Sequence, residues 1–362
     1  MINKESPRVI AFYLPQFYPT PENNEWWEPG FTEWTNVTRS KPLFNKHYQP
    51  RLPEELSFYD LRVPEIREQQ AELATYAGIE GFCYWHYWFA GRRLLDRVFS
   101  EVVESGKPDF PFCLCWANHH WFAKTWDPSS PDRLLIEQTY PGQEDIENHF
   151  YALLSAFKDE RYMKMDGKLI FGIYQPHLIA DYFEKFKKTW NQLAAENGLP
   201  GFCFFGFVQQ EKVLSNFDVE SYDFIVRDTI HDGYDNSCLS FATKIKRSIL
   251  FKLQKAYAVD YSVYVEKSMN IFSHNEGLVP CIAPDFDHSP RSGWRGIIYK
   301  NSTPSLFEKL CRGVAKLVSQ RTKPLLFIKA WNEWGEGNYM EPDQRWGRGY
   351  IEAAHNAFKT LE

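Results

Sequence analysis

The feature that most limits the fold is a set of eight short apolar runs, at 9–14, 79–87, 112–117, 169–174, 202–208, 222–226, 278–283 and 325–331, that lack polar alternation. A strand wetted on one face alternates apolar and polar residues. A run without alternation therefore reads as a strand buried on both faces, the condition of parallel strands covered by helices. Between the runs lie amphipathic stretches at 64–77, 92–105, 144–157, 181–197, 211–217, 240–270, 304–320 and 348–361. Asp60, Asp181 and Thr303-Pro304 suit helix starts, and Gly78 and Gly198 stand where helices should stop. Eight strand–helix units in series predict an α/β fold closed into a (β/α)8 barrel. An open doubly wound sheet would carry a Gly-rich loop after its first strand, where Tyr13-Leu14-Pro15-Gln16 stands instead. No low-complexity linker interrupts the chain, so all 362 residues are expected to form one barrel with a long first loop over about 15–60.

Barrels of this kind place their chemistry on the loops that follow the strands. Here those loops gather polar and aromatic residues: Tyr13 and Tyr18 after strand one, Trp85 and His86 in strand two, Trp116, Asn118, His119 and Trp121 after strand three, and Tyr174 after strand four. Strand seven leads into Asp285, Asp287 and Arg291, strand eight into Trp331, Asn332, Glu333, Trp334, Glu336 and Glu341, and the first loop adds Glu33 and Trp34. Aromatic residues make up 17% of the chain, with 13 Trp, more than a core alone needs. Aromatic faces pack against the C–H faces of sugar rings, so the ring of loops is read as a sugar site.

Charge and cysteine content narrow the partners. The 41 Lys and Arg are outnumbered by 47 Asp and Glu, giving a net charge of −6, which argues against nucleic acid. Seven Cys, an odd number with no C-x-x-C pair and several inside apolar runs, fit a reducing compartment. The polar segment 1–8 and the lack of a long apolar run lead to an expectation of a cytoplasmic protein. A basic amphipathic stretch, with Lys244, Lys246, Arg247, Lys252 and Lys255 interleaved with Ile245, Ile249, Leu250 and Leu253, reads first as an outer barrel helix with a solvated face. Its second reading is a weak contact with an anionic membrane.

The segment Asn332-Glu333-Trp334-Gly335-Glu336-Gly337 carries the strongest chemical signal. Two carboxylates three residues apart at the end of a buried strand converge on one small volume, which glycosidic chemistry requires of its acid and its base or nucleophile. His119-His120 and Asp285-x-Asp287 both invite a metal. Neighbouring side chains on extended backbone point apart, however, so the histidines are read as site wall. The aspartates, with Arg291, are read as binders of sugar hydroxyls, and no cofactor or metal is expected.

The run 331–342, WNEWGEGNYMEP, resembles the catalytic segment of the endo-α-mannosidase family of glycoside hydrolases, approximately N-E-W-H-E-G with a Glu soon after. Over nearly its full length the chain more closely resembles the WbsX-like proteins encoded with surface-polysaccharide biosynthesis genes. The matching segments are AFYLPQF at 11–17, GFTEWTNV at 30–37, the runs 81–87 and 112–121, IEQ at 136–138 and DFDHSPR at 285–291. The resemblance implies a barrel and a retaining reaction on manno-configured sugars such as mannose or rhamnose. Carried over, Glu333 takes the proton of the substrate's own 2-hydroxyl, a 1,2-anhydro sugar forms, and Glu336 is acid and then base. WbsX-like proteins commonly read W-A-N-E-N-W after strand three, whereas here His119 occupies the place of the Glu. The expected substrate is an oligosaccharide or lipid-linked glycan. Hydrolysis and glycosyl transfer both fit the pair, and a non-catalytic glycan-binding barrel is the reading from another class.

Overall fold

The eight apolar runs pair with one another in chain order, and the last pairs with the first. The computed structural model describes residues 7–123, 132–234 and 240–359. The barrel strands are β1 (Arg8–Tyr13), β2 (Gly81–Phe89), β3 (Phe112–Trp116), β4 (Lys168–Ile173), β5 (Phe202–Val208), β6 (Phe224–Asp228), β7 (Leu278–Ile282) and β8 (Leu325–Ile328). All neighbours are parallel, and Ile10 closes the ring by facing Phe327 on one side and Gly81 on the other. The fold is the expected (β/α)8 barrel.

Outside the strands run α1 (Pro64–Ala77), α2 (Arg97–Ser105), α3 (Gln143–Ala152), α4 (Ala180–Glu196), α5 (Tyr261–His274), α6 (Pro304–Val318) and α7 (Gly349–Lys359). The helix α1 opens on Pro64, whose missing N–H costs nothing there, and ends at Gly78, left-handed at φ 85°. Four expected helices differ, 144–157 only by a break at Leu153 that leaves Leu154–Phe157 as a separate short helix. The stretch 92–105 begins as a strand, because Ala90 and Gly91, both at positive φ, turn Arg92–Leu94 back onto β2. The stretch 211–217 forms only 3-10 turns with no buried residue, so β5 and β6 have no α-helix between them. The stretch 240–270 splits, since Gln254 at φ 53° ends a first helix, Phe241–Lys252, and Asp260 caps α5 with its side chain. The expected end of the last helix, 360–361, lies outside the described residues, as do 1–6 of the polar N-terminal segment and Cys238.

Strand alternation decides which side chains fill the barrel. Phe12 stacks on Trp85 at 4.6 Å between ring centroids and meets Phe207 and Phe327 at 5.2 and 5.3 Å. Gly172 leaves the space that the Phe205 ring occupies, and a Cβ there would overlap it. The thiols of Cys83, Cys113, Cys115 and Cys281 are buried and unpaired and serve as small apolar packing groups. Among the described residues no helix is long and apolar enough to cross a membrane.

Candidate active site

After β8 the chain makes a tight reversal that presents two carboxylates. Asn332–Glu333 pairs antiparallel with Asn338–Tyr339 around a 3-10 turn at Trp334–Glu336. Gly337, left-handed at φ 56°, closes the turn. A Cβ at Gly335 would overlap Glu33 Oε2 and crowd Arg291, so only glycine permits that approach. The underside of the turn is locked. Asn332 accepts from the Leu14 amide at 2.8 Å and donates to its carbonyl at 3.0 Å, tying β8 to the end of β1. Trp334 stacks on Tyr339 at 3.7 Å and donates Nε1–H to Glu341 at 2.6 Å. Burial raises the Glu341 carboxyl to about 7, against hydrogen bonds from Trp334, Gln70 and Tyr59.

On the open side of the turn, Glu333 and Glu336 are close enough to share a hydrogen bond. Each has a buried Oε2 with no other donor among the described residues. Arg291 donates to Glu336 Oε1 at 2.7 Å and to Glu33 Oε2 at 3.1 Å, and His288 Nε2 lies 3.8 Å from Glu336. Beneath the pair, Lys329 and Asp228 form an ion pair at 3.1 Å, their side chains only 5% and 1% exposed. Burial and the charge of Glu336 push Glu333 well above the usual carboxylate range, against the pull of Lys329 and Arg291. Burial would raise Glu336 too, but Arg291, Lys329 and His288 bring it down to about 2. Burial and the unequal share of neighbouring charge thus push the two carboxyls apart, and Glu333 keeps its proton to higher pH than Glu336.

Aromatic rings wall this carboxylate pair. Trp85 meets Tyr174 edge-on at 5.1 Å, Tyr174 meets His119 at 5.3 Å, and Trp121 packs between Tyr87 at 4.9 Å and Trp26 at 5.9 Å. Burial brings His119 down to about 4, so it is neutral. Of the residues expected from sequence, the structure brings together Glu33, Trp85, His119, Trp121, Tyr174, Arg291, Glu333 and Glu336.

Others fall elsewhere, for reasons of alternation or hydrogen bonding. With Phe12 and Trp85 inside the barrel, Tyr13 and His86 point outward: Tyr13 donates to Gln70 at 2.7 Å, and His86 lies 2.8 Å from His149. Trp116 also points outward, donating to the Trp88 carbonyl at 3.0 Å, and Tyr18 is buried beside Asp96 and Arg97. Asn118 clamps the backbone of Gln175, accepting at 2.8 Å and donating at 3.0 Å. Trp331 is fully buried against Phe82, and Glu341 lies under the turn. Asp285 and Asp287 do not face the opening either. Arg51 binds Asp285 at 2.7 Å, while His47 and Gln49 each lie 2.7 Å from Asp287, so the two aspartates fasten the first loop to β7. Among the described residues no group of three His, Cys, Asp or Glu is placed to hold a metal ion.

Trp34 is also displaced from its expected role. It packs among Phe17, Tyr59 and Trp334 at 4.7 to 5.4 Å, donates to the Tyr59 carbonyl and is 8% exposed. Trp34→Ala is therefore expected to cost about 3 kcal/mol of stability, read by denaturant unfolding. Unchanged stability with lost glycan binding would return Trp34 to the cleft.

Three residues beside the pair were not singled out from sequence: Asp228, His288 and Lys329; Tyr87 belongs to the aromatic strand-two end already read as site wall. Tyr87 follows from alternation once Trp85 is known to face inward. Lys329 and Asp228 have a signal too, as charges at the ends of otherwise apolar runs, where burial demands a partner.

Comparison with known proteins agrees with the fold. Over 98% of its length the chain superposes on a GH99 endo-α-mannosidase from Bacteroides thetaiotaomicron in complex with bis-tris-propane, covering 97% of that chain, with a TM-score of 0.62 and 13% identity. A glycoside hydrolase-like protein superposes over 98% of this chain and 94% of its own, with a TM-score of 0.61 and 13% identity. At such identities the likeness is one of fold. In sequence, the uncharacterized protein WxcX from two strains of Xanthomonas campestris pv. campestris is 32% identical over 96% of this chain. The chain spans about half, 49%, of the length of those curated relatives. Residues 9–354 match the family described as Glycosyltransferase WbsX, and it is to this family that the chain belongs.

Proposed function

We propose that this protein is a carbohydrate-active enzyme that makes or breaks α-glycosidic bonds of manno-configured sugars in surface-polysaccharide metabolism, with Glu333 and Glu336 as its working pair. The observation that carries the reading is the buried carboxylate pair at the barrel mouth, with Arg291 on Glu336 and the two carboxyls pushed apart by their surroundings, beside aromatic rings. Such a pair supplies an acid and a base within one site.

In the proposed reaction Glu333 accepts the proton of the substrate's 2-hydroxyl, and the freed oxygen attacks the anomeric carbon. The bond to the leaving oxygen breaks as Glu336 protonates that oxygen, and a 1,2-anhydro sugar results. Glu336, now ionised, takes a proton from water or an acceptor hydroxyl, whose oxygen attacks the anomeric carbon. The epoxide opens and its oxygen recovers the proton from Glu333. These roles need the proton on Glu336 and none on Glu333, the reverse of the order in which the free pair titrates. A 2-hydroxyl donating to Glu333 favours its ionised form, and a leaving oxygen accepting from Glu336 favours its neutral form, so substrate binding drives the proton across their hydrogen bond.

The cycle ends in hydrolysis when water is the acceptor and in transfer when a sugar hydroxyl replaces it. The family description supports transfer, while the GH99 likeness supplies the fold that hydrolases use. Incubating the protein with α-mannosides, α-rhamnosides and nucleotide sugars, with and without oligosaccharide acceptors, and weighing the products separates the two outcomes. No product from any manno-configured donor, with turnover of other sugars instead, would overturn the substrate class.

The proton that the pair needs also sets a pH dependence. Activity needs one proton on the pair. It is lost in acid, when both carboxyls are protonated and no base remains, and in alkali, when both ionise and no acid remains. Because Glu333 titrates well above the usual range, the alkaline limb of kcat/KM is expected well above pH 4.5, the ordinary value for Glu. An alkaline limb at that ordinary value would contradict the raised Glu333 carboxyl.

A further inference from the structure

The helix Phe241–Lys252 does not behave as an outer helix of the barrel. It has no buried residue, and Phe241 is 79% exposed and Ile249 51%. Phe241, Ile245, Ile249 and the following Leu253 recur at four-residue spacing and make one exposed apolar stripe. Phe251, also exposed, leans on Trp294 at 5.3 Å. The basic residues flank this stripe, and residues 240–255 contain no Asp or Glu although the whole chain carries −6. Among the described residues, Lys244, Lys246, Lys252 and Lys255 form no ion pair. A cavity of about 130 Å³ opens beside the helix, with Arg247, Lys255 and Arg295 in its wall alongside Tyr257 and Trp294.

Apolar side chains left in water beside lysines that form no ion pair among the described residues complement an anionic lipid surface: the stripe enters the acyl boundary and the cations meet the headgroup phosphates. A second copy of the chain is a poor occupant. A two-fold contact would press this basic patch against itself. The helix belongs to the loop between β6 and α5, which leaves the barrel at the same end as Glu333. We infer that this helix seats the protein on anionic phospholipid, with the carboxylate end of the barrel toward the membrane. The inference stands without the catalytic reading, since it rests on a separate surface.

The test is co-sedimentation of the full chain with vesicles of phosphatidylcholine alone and of phosphatidylcholine mixed equally with phosphatidylglycerol, at low and high salt. The wild type should bind the anionic vesicles and be released by salt. Two variants probe the two components: Ile245→Ser with Ile249→Ser and Phe251→Ser, and Lys244→Glu with Lys246→Glu and Lys252→Glu. Each should lower vesicle partitioning by about tenfold or more. All six side chains are exposed, so folding should be kept, and an unchanged thermal unfolding curve checks this. No binding of the wild type to anionic vesicles at low salt overturns the inference, as does equal binding to both compositions or by both folded variants. A wild type that is dimeric, with variants that are monomeric, makes the patch a contact between copies and overturns it too.

Discussion

Glu333→Gln is expected to lose activity on every substrate, whereas Glu336→Gln is expected to lose it only where the leaving group is poor. In the proposed reaction Glu333 accepts the 2-hydroxyl proton whatever group departs. Glu336 must supply a proton only to a leaving oxygen that cannot depart as an anion. A glycosyl fluoride needs little such help, so the first step should survive in Glu336→Gln. General acid–base groups contribute roughly 100- to 10,000-fold, so each loss is readily measured. Both substitutions keep the side-chain shape, and neither residue carries the hydrogen bonds that lock the turn, which fall to Asn332, Trp334 and Glu341. Thermal unfolding should therefore change little. Wild-type rates in both variants would remove the pair from the chemistry, and equal losses on the fluoride would merge their roles.

Lys329→Met is expected to damage stability as well as activity. The Lys329 ammonium is buried with Asp228, and burial alone would lower its pKa, but Asp228 and Glu336 hold it charged. Removing the cation leaves the buried Asp228 side chain without its ion-pair partner, a loss of about 3–5 kcal/mol for a buried pair broken on one side. Asp228→Asn added to Lys329→Met should recover much of that loss, since the stranded carboxyl goes with it. The single variant should also raise the Glu336 carboxyl, because one of the charges that hold it down is gone. Denaturant unfolding of the single and double variants reads the first effect. A single-variant loss below about 1 kcal/mol would mean that water reaches Asp228 and the pair is not sealed.

Apolar patterning exposed the barrel because parallel strands covered on both faces tolerate no polar alternation, and all eight runs correspond to its strands. The closeness of Glu333 and Glu336 was legible for a related reason, since two carboxylates three residues apart at the end of a buried strand turn toward one small volume. Loop residues were harder to place. Asp285 and Asp287 look like ligand-binding groups in one dimension, and only the fold brings Arg51, His47 and Gln49 back from the first loop to occupy them. Trp34 misled in the same way, because the tryptophan of a long loop becomes core when that loop packs on the strand-eight turn. Tyr13, His86 and Trp116 were assigned to the mouth by position along their strands, without regard to alternation that turns each of them outward. The break at Asp260 was masked by residues on either side that all suit a helix.

In the proposed reaction the substrate's own 2-hydroxyl, activated by Glu333, displaces the leaving group. This step is tested most directly by comparing fluoride release from an α-glycosyl fluoride of manno configuration and from its 2-deoxy counterpart. Both present the same good leaving group to the same site, and only one carries the hydroxyl. The mechanism predicts that the wild type releases fluoride from the first and leaves the second inert. Comparable release from both, or a sugar recovered in covalent linkage to Glu333, would contradict it.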